Sequence, residues 1–348
     1  MKKNSKHKLI LNIGLILVIF GILIYLLKNN LKDIIWQLIE TPPLILLGVI
    51  LLGTLYIVVE GENIRLMATS FVKEITVFDG AMAMCYSAFY RLITFGAGTM
   101  ISEVNFYHKK GLRISQGVGV TALHLVMYKV ALLTWAFISL LFQLFFSSTV
   151  PHLIGLILYG IVATLGVIVV LLALTLSLRV QVWFVKLSHR FLRSRKLRDG
   201  VDRINLQVYS LREAMDSILK ERPLIFRIYL VNLFKLVFWF TIPYLVLVQN
   251  HPELNFFQCF GLICFSVILA GSIPTPAGIG SFEFVFLLLF RPLMGTVDAV
   301  SAMLLYRFAS YMWPFIIGFV YFLFDKQQTI QTEIKEIKSE NNESSEKG

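Results

Sequence analysis

The chain is predicted to be an all-α polytopic membrane protein of about six full transmembrane helices plus two re-entrant helical hairpins in an inverted repeat. Three observations carry this. Of 348 residues, 57% are hydrophobic and 15% charged, with a mean hydropathy of +0.75, more apolar surface than one soluble core hides. Apolar runs of roughly eighteen residues or more, long enough to cross hydrocarbon, recur along the chain. Two such runs are interrupted by glycine-containing stretches that end in a glutamate, Glu103 and Glu283.

Full crossings are expected at about residues 9–27, 43–60, 115–146, 151–178, 223–249 and 296–324. The first follows a basic start, is too long for a secretory h-region and has no small-residue cleavage site, so a retained span is expected. Residues 76–109 and 255–292 are the broken segments. Each half is too short for a comfortable crossing, and backbone that leaves the helix at membrane depth survives only where protein or a wet cavity satisfies it. Both are therefore read as hairpins whose tips, Gly96 and Gly98 in one and Pro274, Pro276, Gly278 and Gly280 in the other, meet near the bilayer centre.

Charge placement sets the orientation. The net charge is +11, but the bases gather at Lys2 to Lys8 and between Arg179 and Arg222, flanking apolar spans. That is the positive-inside bias, with anionic headgroups rather than nucleic acid as the counter-charge. The loops at Ser147 to His152 and Gln249 to Asn255 lack Lys and Arg, which suits the outer face. Both termini are then cytoplasmic in a multi-pass cell-membrane protein. The loop 179–222 carries an amphipathic pattern suited to lying along the headgroups, and the polar tail 325–348 is expected to have little fixed structure.

On this topology the two hairpins enter from opposite sides, and the sequence repeats accordingly. Residues 127–138 align without a gap to residues 305–316, matching Tyr128 with Tyr306, Lys129 with Arg307, Ala131 with Ala309, Trp135 with Trp313, Phe137 with Phe315 and Ile138 with Ile316. The separations Glu103 to Tyr128 and Glu283 to Tyr306 are 25 and 23 residues. One membrane domain, residues 1–324, is thus expected to contain repeats at 43–146 and 223–324, with a site at the midplane between broken helices.

The segment Pro274-Thr275-Pro276-Ala277-Gly278-Ile279-Gly280-Ser281-Phe282-Glu283, followed by Leu305-Tyr306-Arg307, resembles the P-x-x-P-G-G-x-G-x-x-E and later Y-R signature of the lysylphosphatidylglycerol synthase transmembrane region. This flippase-like family forms the membrane half of the bacterial multiple peptide resistance factor. The resemblance runs from the first span to about Phe324. It implies a lipid or lipid-linked substrate, such as an aminoacylated phospholipid. The first half departs from the family pattern, with Ser102-Glu103-Val104-Asn105-Phe106 in place of a Gly-Glu pair followed by Arg, and Tyr128-Lys129 in place of a Glu-Arg pair. The soluble aminoacyl-transferring module of the resistance factor is not expected here, since after Phe324 only a polar tail follows.

The candidate substrate-binding residues are Glu103, Glu283, Arg307, Lys129, Arg91, Tyr128 and Tyr306. Intramembrane carboxylates and arginines are costly in lipid and so face protein, a wet cavity or a charged ligand. A phosphate-bearing lipid gives the bases a partner. The plainer readings stand beside these: the glutamates cap half-helices, Arg91 snorkels to an interface, and the tip glycines only permit turning. His124 is expected to be a buried, hydrogen-bonded histidine, and Cys85, Cys259 and Cys264 small core residues. No catalytic set, cofactor or metal site is expected.

Three functions fit: translocation or binding of an anionic or aminoacylated phospholipid, glycolipid or lipid-linked sugar between leaflets; a phosphatidylglycerol lysyltransferase or its membrane subunit; and a non-transporting anchor for an envelope-synthesis complex. A homo-oligomer or an envelope-synthesis protein is the partner expected beside lipid.

Overall fold

The helices begin and end where local chemistry dictates. The computed structural model describes residues 32–146, 154–176, 219–273, 275, 278 and 280–327. Helix α1 (Lys32–Glu40) precedes α2 (Pro43–Ala68), whose start is set by Pro43, fixed in φ and lacking an N–H that would have no partner there. Helix α3 (Val77–Ile93) opens on a capping box: Thr76 Oγ1 accepts from Asp79 N–H at 3.1 Å and Asp79 Oδ2 accepts from Thr76 N–H at 3.0 Å. It stops where Phe95 and Gly96 take positive φ, 52° and 93°. Thr94 ties that turn, donating to Tyr90 O and accepting from Gly98 N–H, both at 2.7 Å. Helix α4 (Thr99–Lys109) then runs back along α3.

Helix α5 (Ile114–Phe146) is followed by α6 (Ile154–Leu176) and α7 (Arg222–Leu247). Asn255 caps α8 (Phe256–Ala270) by accepting from Phe257 N–H at 2.8 Å. Helix α9 (Ser281–Arg307) starts at Gly280, φ 89°, and breaks its regular geometry at Gly295, φ 76°. A π turn, Phe308–Met312, joins it to α10 (residues 313–327).

Among the described residues four helices are long and apolar enough to cross a membrane: Pro43–Ala68, Ile114–Phe145, Arg222–Leu247 and Ser281–Gln327. They match the spans expected at 43–60, 115–146, 223–249 and 296–324. The last is continuous with the hairpin arm, and the expected boundary survives as the Gly295 kink. The span expected at 151–178 corresponds to α6, whose stretch Ile154–Val170 is a shorter apolar helix, as is Phe256–Ala270. The span at 9–27 lies outside the described residues, as do nearly all of the loop 179–222 and the tail beyond residue 327. Helix α1 was not expected; Trp36 and Ile39 are exposed on it, and Gln37 Nε2 donates to Ser301 Oγ on α9 at 2.6 Å.

Both broken segments are helical hairpins. Arms α3 and α4 measure about 25 Å and 16 Å at 1.5 Å per residue, each short of the ~30 Å hydrocarbon core. Helix α8 packs on α9 as α3 does on α4. At the centre α2 crosses both α7 and α3. Gly61 and Gly80 let α2 and α3 touch backbone to backbone, since a Cβ on either strikes main-chain atoms of the other helix. The indole N–H groups make crossed contacts between the halves: Trp135 on α5 donates to Leu233 O on α7, and Trp313 on α10 to Thr54 Oγ1 on α2, each at 3.0 Å. Leucines, valines and phenylalanines stand exposed along α2, α5, α6 and α7, the surface that lipid solvates.

Candidate functional site

Two polar centres lie inside this apolar frame. The first is at the tip of the second hairpin. Glu283 Oε2 accepts from Gly280 N–H at 2.7 Å, so the carboxylate caps α9. Its Oε1 lies 2.7 Å from Arg307 Nε. That carboxylate oxygen is off the N–H direction, since Nε itself has no aligned hydrogen bond, and the contact is an ion pair. Capping and charge pairing therefore coexist in one residue. Arg307 Nη2 donates to Gly278 O at 2.7 Å, so the base fastens the turn whose Gly278 and Gly280 have φ of 71° and 89°. Pro274 and Pro276 lie outside the described residues.

Aromatic rings carry the guanidinium groups. Arg307 lies 4.6 Å from the Phe282 ring centroid and 4.8 Å from that of Tyr311. Arg91, from the first hairpin, lies 4.5 Å from the same Tyr311 ring. One aromatic on the π turn is thus shared by a base from each hairpin. Arg91 has no carboxylate partner among the described residues, and its Nε is buried there without a hydrogen-bond acceptor. Lys129 on α5 reaches the turn that closes α8, within contact range of Gly271, where carbonyls at the helix end favour a cation. It has no carboxylate partner among the described residues. Tyr306 is stacked between Phe282, at 5.1 Å, and Trp239, at 5.9 Å.

The second centre is a buried charge cluster on α2, α4, α5 and α7. Lys235 Nζ lies 2.5 Å from Glu60 Oε2, and Glu60 Oε1 lies 2.6 Å from His124 Nε2. Lys235 is 0% exposed and Glu60 2%. Asn63 donates to Glu60 Oε2 at 3.2 Å and to Asn232 Oδ1 at 3.3 Å, while Asn232 returns a bond to Asn63 Oδ1 at 2.8 Å. Glu103 joins from α4, where its Oε1 accepts from Tyr107 at 2.8 Å and lies 4.0 Å from His124 Nδ1. Lys235 also faces the Tyr128 and Tyr56 rings, at 5.4 Å and 6.0 Å.

The sequence-derived residues thus divide. Glu283, Arg307, Arg91 and Tyr306 gather around Phe282 and Tyr311, with Lys129 at the α8 end of the same hairpin and Gly96 and Gly98 in the turn beyond Arg91. Glu103 stands apart, in the buried cluster, and Tyr128 stands between the two centres. Sequence reasoning missed Glu60, Asn63, Asn232 and Lys235. The signal was there: Glu60 follows Tyr56-Ile57-Val58-Val59, and Lys235 sits within Leu233-Phe234-Lys235-Leu236-Val237. Ending the span at residue 60 turned an interior carboxylate into a terminal one, whereas α2 continues to Ala68. His124 is hydrogen-bonded as expected, but half-buried rather than buried.

The two centres connect through rings: Lys235 faces Tyr56, Tyr56 packs on Trp239 at 4.4 Å, and Trp239 stacks on Tyr306. Such an arrangement can hold an anion against Arg91 and Lys129 while Glu283 neutralises Arg307 and Glu60 neutralises Lys235.

Comparison with known families gives a match to a family model described as lysylphosphatidylglycerol synthase TM region, over residues 10–318 of this chain. No curated protein matches significantly.

Proposed function

Since the chain belongs to the lysylphosphatidylglycerol synthase transmembrane-region family, we propose that it binds the phosphate of a membrane lipid between its two hairpins and passes that headgroup between leaflets. The chain is a membrane protein of a lipid-related family. What supports the finer reading is the shared contact of Arg91 and Arg307 with Tyr311, one base from each hairpin.

Arg307 is neutralised by Glu283. Arg91 and Lys129 are not neutralised by any described carboxylate, so two cations in an apolar surrounding await a counter-charge. A lipid phosphate supplies it, accepting charge-assisted hydrogen bonds while its acyl chains remain in the bilayer. An aminoacylated headgroup adds a cation, for which the Glu283 carboxylate is the complementary group. The crossed tryptophan contacts support two halves that rock about the α2–α7 crossing, the motion by which inverted repeats expose one site to alternate sides. The N- and C-terminal orientation inferred from loop charge fits this reading, with the first hairpin entered from the cytoplasm.

The test is leaflet exchange of labelled phosphatidylglycerol, lysylphosphatidylglycerol and lipid-linked sugar in liposomes containing the purified chain, wild type beside Arg91→Gln and Glu283→Gln. Selective exchange that Arg91→Gln abolishes is the expected result. Folded protein that exchanges none of the panel overturns translocation; retained lipid binding without exchange then leaves an anchor or an enzyme's membrane subunit.

A further inference from the structure

The buried cluster has one feature that a purely structural ion pair does not need: a histidine with a carboxylate at each ring nitrogen. At 2.6 Å from Glu60 Oε1, two bare acceptors repel, so His124 Nε2 carries a hydrogen and donates it. Lys235 donates to the other oxygen of Glu60. With the imidazole neutral, Glu60 and Lys235 cancel. What remains is Glu103, whose carboxylate receives one hydroxyl from Tyr107 and faces the bare Nδ1 lone pair of His124 across 4.0 Å.

An uncompensated carboxylate inside a membrane protein is expensive. One proton removes the cost. Placed on His124 Nδ1 it makes an imidazolium paired with Glu60 and Glu103; placed on Glu103 it makes a neutral acid that can donate to Nδ1. In both cases the four groups sum to zero charge, and the gap converts from acceptor facing acceptor to donor facing acceptor.

We propose that His124 and Glu103 form a proton-binding site holding one dissociable proton between Nδ1 and the carboxylate, and that its loading draws α4 towards α5. The position of each group fits this division of labour. The His124 side chain is 20% exposed, against 3% for Glu60 and 0% for Lys235, so the proton exchanges at the histidine end while the Glu60–Lys235 pair stays closed. The groups facing the site are Tyr56, Glu60 and Asn63 from α2, Tyr107 from α4, Thr121 and Tyr128 from α5, and Asn232 and Lys235 from α7; Arg91 of α3 is turned instead to Tyr311. Apart from His124 and Glu103, the charges in this set are already paired. Because α4 is the returning arm of the first hairpin, closing the 4.0 Å gap to about 2.8 Å moves the arm that bears Glu103 relative to the α2–α7 crossing. The consequence for translocation rests on the lipid reading above; the proton site does not.

The test uses the full chain in lipid nanodiscs with ring-labelled histidine. Of six histidines, the His124 signals are those lost in His124→Gln. Expected is a ring that keeps Nε2 protonated throughout and whose Nδ1 changes in one transition, either gaining the proton or accepting a hydrogen bond from protonated Glu103, with the midpoint moved by about one pH unit or more in Glu103→Gln. Amide hydrogen exchange over residues 99–109, compared at one pH, is expected to differ several-fold between wild type and that variant. The same midpoint in both proteins overturns the shared site, and a shifted midpoint with unchanged α4 exchange overturns the coupling. Should Glu103→Gln not fold, Tyr107→Phe, which removes the hydroxyl serving the same carboxylate, is read in its place with a midpoint shift again expected. Absence of lipid exchange in liposomes leaves these readouts untouched, so the two ideas fail separately.

Discussion

Glu60 and Lys235 meet at 2.5 Å with both side chains almost wholly removed from solvent, 3% and 0% exposed, on helices whose positions are 175 residues apart. A pair buried this deeply contributes little relative to a well-packed apolar alternative, because desolvation offsets most of the attraction. Its removal by halves is another matter. Lys235→Met leaves Glu60 with hydrogen bonds from His124 and Asn63 but without its lysine counter-charge, and is expected to cost about 3–5 kcal/mol, read as a fall in unfolding midpoint in detergent. Glu60→Gln with Lys235→Met is expected to be more stable than the sum of the single changes requires. Strict additivity would falsify the pairing.

Arg91 offers a cleaner separation of binding from folding. Its Nε is orphaned and its guanidinium lies over the neutral Tyr311 ring rather than in an ion pair with a described residue, so Arg91→Gln is expected to leave the unfolding midpoint within a degree or two of wild type. A charged hydrogen bond to phosphate contributes roughly 1.5–3 kcal/mol, so affinity for anionic lipid is expected to fall by about ten-fold or more. Arg307→Gln, in contrast, should lower both affinity and stability, because that base also holds Gly278 O and Glu283. Equal losses of stability in the two variants would contradict the difference in their roles.

Much of this architecture was legible in the residues. Apolar runs of membrane length and two glycine breaks are patterns that survive any tertiary detail; α2, α5 and α7 begin within a residue of where they predicted, and the expected boundary between residues 292 and 296 is found as a kink at Gly295 inside one helix. The motif residues Glu283 and Arg307 are 24 positions apart in the chain, at the two ends of α9, and their pairing follows from the break at Gly295 that lets the helix fold back on its own first turn. The charge cluster was harder to read. Glu60 lies where a span of minimal length ends, and only the extra eight residues of α2 to Ala68 place it inside. Its partner Lys235 comes from the other half of the chain, and no local spacing announces a contact between helices packed side by side. Glu103 was matched to Glu283 by position in the repeat, yet its following residue types differ, with Tyr107 one turn on supplying a donor that Glu283 finds in backbone.

Close helix approach predicts a third outcome. At the α2–α3 crossing a Cβ on Gly80 meets the backbone of Gly61, which cannot swing aside as a side chain would. Gly80→Ala is therefore expected to destabilise by about 1–3 kcal/mol or more through overpacking, despite alanine's better helix propensity. Gly155→Ala, where an added Cβ meets nothing, is the control and should be neutral or slightly stabilising. A comparison of unfolding midpoints decides it, and equal behaviour of the two variants would show that the helices do not touch there.

The pH dependence of stability should carry a signature of the loop before α8. His251 Nε2 lies 2.9 Å from Asp298 Oδ2 on α9 and its Nδ1 lies 3.3 Å from Glu253 Oε1. The hydrogen bond to Asp298, and then that to Glu253, raise the imidazole above its ordinary value near 6.5. A base raised in the folded state binds its proton more tightly there than in the unfolded chain, so its stabilising contribution is complete below about pH 6.5 and is lost as pH climbs through the higher folded value. The group is largely solvated, which keeps the effect small. Asn250 Nδ2 also donates to Asp298, at 3.1 Å, so Asp298→Asn removes the charge while keeping a polar side chain in place. The expected result is that wild type loses stability between about pH 6.5 and 8 relative to Asp298→Asn, the two curves converging at the alkaline end. Parallel curves across that window would mean that the His251–Asp298 contact does not persist in solution, and that α9 beyond its Gly295 break is held by packing alone.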